Sequence, residues 1–360
     1  MKKLMILAVA AIALVACSKT FEPGTKASEG ATIGFGTWTE KLTKAPKTAF
    51  VDDDVFEVFG YKWMDAGTPA PASVFEAVEV EYDETNTKWS YSPLRYWDPA
   101  YDKYTFFAVW PKDILASGTY AQTGLFATTT LTFNGADEPL LIAQKKTVAK
   151  ANYNQVVPLV FKHMGALVDI KVKKHEDLAT ATLSVTGITL SNIKTKGTFA
   201  VASYDGSDNP VGTAGVSGWT PDGTPTVANF THASGTSATL PATLAATTLP
   251  TITGCNTATA AELVNNLVVM PQALDGTQTL TITYTITDAS NIVNTYAPDP
   301  IGLDKFDNTD NKSNASTFIT SWLPGYHYTL YVTINANAIE FSASIADWDV
   351  STDGYHYLLN

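Results

Sequence analysis

The sequence predicts an all-β protein that is divided into two β-sandwich domains in tandem. The chain has 360 residues, which is near the upper limit for a single hydrophobic core, so two domains are the better expectation. Hydrophobic residues make up 45% of it and charged residues only 16%, and its Thr, Ala, Gly and Asn content is typical of short strands joined by polar turns. Between Thr279 and Ile286, apolar residues alternate strictly with threonine, as expected for a strand with one buried face.

The N-terminus has the layout of an export signal. A short basic start is followed by the apolar run Leu4–Val15, which is shorter than the about 20 residues that a membrane-spanning helix needs. The small and apolar residues before Cys17 resemble the cleavage site of bacterial lipoproteins, in which the cysteine becomes the new N-terminus and carries acyl chains. We therefore predict removal of residues 1–16 and anchoring in lipid through Cys17; the alternative is a buried N-terminal helix with an incidental cysteine.

The next segment, residues 17–44, is predicted to be a tether that ends in a first strand. Small and polar residues fill it up to Gly30, which suits a flexible linker. From Ala31 onward Ile33 and Phe35 alternate with glycines, and lysines follow. Exposed loops of such composition are preferred sites of proteolysis.

The first domain is predicted to span residues 45–162. Its predicted strands are Val55–Trp63, Val74–Tyr82, Trp89–Trp97 and Tyr104–Trp110. The acidic run Asp52–Asp54 indicates a solvated turn, with a calcium site as the alternative, although it lacks the spacing of a calcium loop. The aromatic residues of this region, Tyr91, Tyr96, Trp97, Tyr101 and Trp110, are expected in the core, with a sugar-stacking platform as the alternative. Arg95, the only arginine, is expected to connect strands.

The second domain is predicted to span residues 163–360. It begins with an amphipathic strand that places Ala166 to Val172 on one face at every second position and Asp169 on the other. Further strands are expected at Leu183–Leu190, Phe199–Tyr204, Leu267–Met270 and Leu280–Ile286, and a long antiparallel hairpin at Tyr326–Ile334 and Ile339–Ile345. For Ala261–Asn266, one or two helical turns are considered.

The sequence offers no pattern for enzymatic chemistry. A phosphate loop, zinc-ligand spacing and a nucleophile elbow are all missing from it, and His163 and His175 have no partners at ligand spacing. We therefore expect no catalytic residue, metal or cofactor. The formal net charge of -12 argues against a nucleic acid as partner, because like charges repel.

Taken together, several segments resemble the fimbrillin family, the lipoprotein precursors of the type V pili of Bacteroidales. The matching segments are the site at Cys17, IGFGTW with TKA after it, VFGYKW, RYWDPAYDKYTFFAVWP, LVFKHMGALVDIKV, VVMPQAL with LTITYTI, and WLPGYHYTLYVTI with IEFSASIADW. They cover nearly the whole chain, and their order and spacing are more specific than any one of them.

The resemblance implies two transthyretin-like antiparallel β-sandwich domains, export to the outer-membrane surface, removal of the first strand, and assembly with other fimbrial subunits by strand exchange. Processing in the best-known members of the family resembles cleavage after arginine, but no arginine precedes Arg95 in this chain. The cleaved bond is therefore expected after Lys44 of the matching TKA, between Lys44 and Ala45, with Lys47 and Lys41 as alternatives. Cleavage there would displace the strand that carries Ile33 and Phe35.

The C-terminal tail offers a strand that a subunit could donate to its neighbour. Tyr355, Tyr357 and Leu359 lie on one face at period-two spacing. The alternative is that the tail completes its own C-terminal sheet.

The function implied by the resemblance is that of a structural or adhesive fimbrial subunit. The alternative function is a monomeric surface lipoprotein, either a fimbrial anchor or a glycan-binding protein, with host or bacterial glycans or proteins as partners.

Overall fold

A computed structural model describes residues 31–39, 50–86, 88–112, 121–123, 126–128, 130–133, 140–194, 197–200, 218–221, 226–229, 251–308, 318–335 and 339–347. Over these residues the structure is built from strands and four 3-10 turns, so the all-β prediction is confirmed. The turns are Lys150–Asn152, Glu176–Leu178, Thr257–Thr259 and Leu303–Lys305. None of the helical segments described is long and apolar enough to span a membrane.

Ten of the described strands precede residue 164. They are β1 (Phe35–Thr39), β2 (Val55–Trp63), β3 (Ala72–Asp83), β4 (Lys88–Ser90), β5 (Lys103–Trp110), β6 (Ala121–Thr123), β7 (Phe126–Thr128), β8 (Thr130–Phe133), β9 (Leu141–Ala149) and β10 (Val157–His163). Seven of them form one sheet in the order β1-β10-β9-β5-β2-β3-β4. Within it β1 is parallel to β10, and the other pairs are antiparallel.

Fifteen strands follow in the described part of the chain. They are β11 (Ala166–Lys174), β12 (Thr182–Ile193), β13 (Gly197–Ala200), β14 (Trp219–Pro221), β15 (Thr226–Asn229), β16 (Thr251–Ile252), β17 (Ala261–Val269), β18 (Gln272–Ala273), β19 (Thr279–Thr287), β20 (Val293–Tyr296), β21 (Ile301–Gly302), β22 (Asp307–Asn308), β23 (Ser321–Trp322), β24 (Tyr326–Ile334) and β25 (Ile339–Asp347).

The later strands form two larger sheets and several small ones. One sheet has the order β17-β11-β24-β25-β22, and the other has the order β15-β12-β19-β20, with β16 beside β12 and β21 beside β19. Strand β13 lies between β14 and β8, so it joins the second half of the chain to the first. The pairs β18-β23 and β6-β7 complete the described strands.

The buried residues form three clusters. The first is rich in aromatic rings and consists of residues between Ile33 and Phe161. The second is mainly aliphatic and consists of residues between Ala166 and Ile345, contributed by both of the later large sheets. The third combines residues of both halves and is smaller: Phe59, Tyr61, Phe107, Val109, Leu140, Ile142, Met164, Leu167, Phe199, Trp219, Val268 and Met270.

A buried hydrogen bond ties the third cluster together. The Trp219 indole N–H donates to the Met164 carbonyl at 2.8 Å, and both residues are buried. Because an indole N–H that lost this partner inside the protein would carry a desolvation cost, the bond favours the packed arrangement of this cluster.

Period-two alternation predicted several strands closely. Strand β2 begins and ends at the predicted residues, and in β19 every second side chain from Leu280 to Ile286 is buried. The predicted hairpin is β24 with β25, paired from Tyr326 with Asp347 to Ile334 with Ile339.

Other predictions need correction. Residues Ala261–Asn266, for which helical turns were considered, belong to β17, because pairing with β11 outweighs local helix propensity. Three pairings, β1 with β10, β11 with β24 and β22 with β25, are parallel and depart from the antiparallel arrangement. The predicted strand Trp89–Trp97 is short: β4 ends at Ser90, and Pro93 cannot donate a ladder hydrogen bond.

Candidate assembly site

Strand β1 lies at the edge of the seven-stranded sheet, beside β10. The two strands are paired in parallel from Phe35 with Val157 to Thr39 with Phe161. Just before the strand, the Val157 amide donates to the Gly34 carbonyl at 2.8 Å. Strand β1 is thus both the first described strand of the chain and the outermost strand of its sheet.

The residues before β1 also contact the opposite end of the same sheet. The Ile33 amide donates to the Arg95 carbonyl at 2.9 Å, and the Trp97 amide donates to the Ala31 carbonyl at 2.9 Å. These bonds surround an antiparallel bridge between Thr32 and Tyr96. Because Arg95 to Trp97 follow β4 in the chain, residues 31–39 connect the two ends of the sheet.

The side chains of Ile33 and Phe35 point into the aromatic cluster. Their exposed fractions are 1% and 0%. The Phe35 ring packs edge-on against Phe75 and Phe106, with centroids 5.3 and 5.6 Å away, and is tilted against Tyr91 at 5.9 Å. Burial of each of the two side chains stabilises the fold by about 1.5–3 kcal/mol.

Tyr91 fixes the backbone of the same segment. Its hydroxyl donates to the Ile33 carbonyl at 2.6 Å. Burial raises the pKa of this half-buried phenol above its ordinary value, so the hydroxyl keeps its proton and remains a donor at neutral pH.

Gly60 provides the space that the rings around Phe35 occupy. A Cβ atom at Gly60 would lie 2.9 Å from the Phe75 ring and 3.0 Å from the Phe106 ring. The glycine in the predicted strand VFGYKW therefore has a packing role that the sequence pattern did not indicate. The sequence also did not indicate Tyr91 as a partner of the first strand, because the hydrogen bond depends on how the chain returns to this edge.

Of the predicted site residues, the structure brings Ile33 and Phe35 together on the buried face of one edge segment. The acylation site Cys17, the processing site Lys44–Ala45 with its alternatives Lys41 and Lys47, and the tail residues lie outside the described part of the chain. The tail residues are Tyr355, Tyr357 and Leu359.

The acidic run forms a turn whose carboxylates accept backbone hydrogen bonds. Asp54 accepts from the Val51 amide at 2.6 Å and Asp52 from the Glu84 amide at 3.0 Å, while Asp53 has a φ of 66°. These roles agree with the predicted turn. Among the described residues, no group of three or more His, Cys, Asp or Glu side chains is placed to hold a metal ion.

The two histidines differ in their surroundings. His163 is fully buried, and its pKa is lowered to about 3 by burial and, to a smaller extent, by the charge of Lys162. His175 is exposed, and its ring nitrogen accepts from the Asp177 amide at 3.4 Å. One histidine is therefore buried in the protein interior and the other lies at the surface, and the two do not form a common site.

The aromatic residues considered for a sugar platform are mostly in the core. Trp97 and Trp110 are buried, and Trp97 stacks on Tyr153 with ring centroids 4.6 Å apart. Tyr91 is half-buried against Phe35, and only Tyr96 has a large exposed fraction, 51%. The core interpretation is therefore correct for Trp97 and Trp110 and in part for Tyr91, whereas Tyr96 and the half-buried Tyr101 are not core residues.

The described strands form an all-β fold in which the first of them packs against an aromatic core. The family model for fimbrillin-like proteins matches residues 43–348. The chain therefore belongs to the fimbrillin-like family. Membership of this family supports a role as a fimbrial or adhesion subunit at the cell surface. Fimbrial and adhesion proteins of this kind are structural proteins, not enzymes. A comparison with curated proteins finds no match.

Solved structures that match this chain come from Bacteroides and Parabacteroides species. A fimbrial protein from Bacteroides vulgatus matches with a TM-score of 0.55 and 18% identity over 89% of this chain and 100% of that chain. A candidate cell adhesion protein from Parabacteroides distasonis has a TM-score of 0.48 and 11% identity, over 90% and 99% of the two chains. One from Bacteroides ovatus has a TM-score of 0.45 and 14% identity, over 89% and 99%. With a TM-score of 0.55 at 18% identity, the Bacteroides vulgatus protein shows that the fold is shared.

Proposed function

We propose that this chain is a structural or adhesive subunit of a cell-surface fimbria. It is exported as a lipoprotein through Cys17, anchored in the outer membrane, and cleaved between Lys44 and Ala45 for assembly with identical or different fimbrial subunits. Family membership supports the fimbrial role. The observation that carries the assembly route is the position of residues 31–39 at the edge of the sheet, with Ile33 and Phe35 buried.

Removal of residues 31–44 would open the aromatic core. Phe75, Tyr91 and Phe106 would lose the ring of Phe35, and the edge of β10 would lose its partner strand. An open edge beside an apolar groove binds an extended segment readily, because the backbone supplies hydrogen bonds and the groove takes alternate side chains.

The C-terminal tail has the spacing that such a groove requires. In the first strand, Ile33, Phe35 and Thr37 are buried at every second position. The tail offers Tyr355, Tyr357 and Leu359 at the same spacing. A donated tail would therefore replace the apolar contacts of the lost strand, whereas a tail that completes its own sheet would leave the groove to another donor.

The alternative function is a monomeric outer-membrane lipoprotein that serves as fimbrial anchor or glycan-binding protein. In that case residues 31–44 would stay in place permanently. The first experiment therefore isolates surface filaments and determines the N-terminus of this chain within them. We expect the polymerised form to begin at or near Ala45. A polymerised chain that begins at Cys17 would contradict strand removal, and a chain found only outside filaments would favour the alternative.

A second experiment tests the groove directly. A chain that begins at Ala45 is mixed with a synthetic peptide of residues 31–44, and binding is measured by calorimetry. A matched control peptide carries Phe35→Ala. We expect the natural peptide to bind and the control to bind at least tenfold more weakly, because a buried ring is lost. Equal binding of the two peptides would show that the aromatic groove does not select the strand.

The same chain then receives a peptide of the C-terminal tail, residues 349–360. Competition with the peptide of residues 31–44 would support the tail as donor. If the peptide of residues 31–44 binds and the tail peptide does not compete with it, the groove accepts a strand but the donor is another segment.

A further inference from the structure

A second groove lies outside the aromatic core, beside the start of β3. It has a volume of about 490 Å³ and is open to solvent. The side chains that matter for its chemistry are Lys62, Ser73, Glu76, Arg95 and Tyr96. They combine cationic donors, a carboxylate, a hydroxyl and an aromatic ring in one concave surface.

Arg95 is held in place by backbone carbonyls. Its Nε donates to the Val74 carbonyl at 3.1 Å, and one terminal nitrogen donates to the Pro93 carbonyl at 3.4 Å. Within the part of the chain that the structure describes, no carboxylate pairs with its guanidinium. The side chain is thus fixed in orientation and keeps donors for a ligand, in a fork that matches a carboxylate.

Lys62 differs from Arg95 because its charge already has a partner. Its ammonium group lies 2.7 Å from the Asp98 carboxylate and 4.4 Å from the centre of the Tyr101 ring. The Asp98 carboxylate is stabilised by this hydrogen bond, which lowers its pKa. The unpaired cation of the groove is therefore Arg95.

Tyr96 and Glu76 complete the surface. The Tyr96 ring is 51% exposed beside Arg95, and the exposed Glu76 carboxylate makes no hydrogen bond or ion pair to any other described residue. An exposed aromatic face next to hydrogen-bond donors and acceptors suits a sugar ring, which has one apolar face and a rim of hydroxyl groups.

The backbone at this place favours a sugar over an extended peptide. The β2–β3 register shifts on either side of Gly60, and Ala77 has a φ of 48°, in the left-handed region that residues other than glycine seldom adopt. The Val74 carbonyl is already used by Arg95. A peptide strand would therefore not find a regular row of free backbone groups along this part of β3.

We propose that this groove binds a saccharide that bears a carboxylate, such as a sialylated or uronic-acid-containing glycan. Arg95 pairs with the carboxylate, Tyr96 stacks on a sugar ring, and Glu76 and Ser73 accept hydrogen bonds from hydroxyl groups. The inference does not depend on strand exchange. Residues 31–33 are bonded to the segment around Arg95 and Tyr96 through backbone groups only. Any strand that replaced residues 31–33 would supply the same backbone hydrogen bonds.

The test measures binding of 3′-sialyllactose and neutral lactose to the purified full chain by titration calorimetry or NMR. We expect a Kd on the order of 1 mM for sialyllactose and binding at least tenfold weaker for lactose. Arg95→Lys should weaken sialyllactose binding at least tenfold, since lysine cannot form the two-pronged contact. Tyr96→Ala should weaken it severalfold, and Ile292→Ala, at another exposed apolar position, should leave it unchanged.

Thermal unfolding of each variant distinguishes loss of the site from loss of the fold. If Arg95→Lys does not fold, Tyr96→Ala decides, because the exposed ring can be removed with little effect on the core. Equal binding of lactose and sialyllactose, binding unaffected by the Tyr96 and Arg95 variants, tighter binding of a glutamate-rich peptide, or no saturable binding up to about 10 mM would each overturn the proposal.

Discussion

The substitution Phe35→Ala should release the first strand locally while the rest of the protein stays folded. The Phe35 side chain is fully buried and contacts three aromatic rings, and truncation of such a residue costs about 3–5 kcal/mol. Because β1 is an edge strand at the start of the described chain, this cost should fall on the free energy of opening residues 31–39. Opening would then become more frequent by about 10²- to 4 × 10³-fold.

Native-state hydrogen exchange measures this opening residue by residue. The reporter is the Val157 amide, which donates to the Gly34 carbonyl and is freed when the strand leaves. The amide of Ile282, in the other large cluster, reports on opening of the second half. The matched control variant is Val51→Ala, at a side chain that is 53% exposed, for which a change within about 0.5 kcal/mol is expected.

We expect Phe35→Ala to accelerate exchange at Val157 and to leave Ile282 almost unchanged. Equal acceleration at both amides would mean that the strand leaves only when the whole protein unfolds, and removal of residues 31–44 would then not yield a folded subunit. No acceleration at either amide would refute the assigned contribution of the buried ring.

Three further substitutions test other parts of the structure. Gly60→Ala should lower the free energy of unfolding by about 1–3 kcal/mol, measured in urea, because the new Cβ would overlap two buried rings. The pKa of His163 is about 3 in the folded protein, against an ordinary value of 6.5. As the pH drops, the unfolded chain therefore binds a proton at His163 before the folded protein does. The free energy of unfolding should fall by up to about 1.4 kcal/mol for each pH unit below about 6.5. His163→Gln should remove this dependence, and His175→Asn, at an exposed site, should preserve it. Trp219→Phe should cost about 1–3 kcal/mol in urea unfolding, because the buried Met164 carbonyl loses its donor.

Each of these expectations has a contradicting result. An unchanged urea midpoint for Gly60→Ala would mean that the two rings move aside at little cost. An acid-unfolding profile that is the same with and without His163 would assign the pH dependence to carboxylates. A Trp219→Phe variant as stable as the parent would mean that the hydrogen bond to the Met164 carbonyl contributes little to stability.

Period-two alternation predicted those strands that have one buried and one exposed face. Strand β19 shows this most clearly, since its apolar side chains are buried and its threonines lie on the opposite, more accessible face. The pattern failed at β11, where the predicted polar position Asp169 is buried and its carboxylate lies 2.9 Å from His327. The cause is that both faces of β11 are buried: Leu167, on the same face as Asp169, packs in the third cluster, while Val168 and Ile170 pack in the second. No local pattern in β11 can reveal the residues that cover the Asp169 face.

The candidate site was predicted only in part for the same physical reason. The buried side chains Ile33 and Phe35 were evident because they alternate with glycines. The partners of that strand were not, because Tyr91 and Arg95 reach it through the return of the chain after β4. Hydrophobic periodicity identifies which face of a strand is buried, whereas the identity of the covering residues depends on the order of strands in the sheet.

The order of strands also explains why residues 31–39 are suited to exchange. An interior strand could leave only if ladders on both of its sides broke and its connections were threaded past other strands. Strand β1 has one ladder, to β10, and the residues before it make a single bridge to the other end of the sheet. The departure of these residues would break that one ladder and that one bridge, and it would uncover the edge of β10. A replacement strand from a neighbouring subunit would need only the same backbone hydrogen bonds and two apolar side chains at alternate positions to close it again.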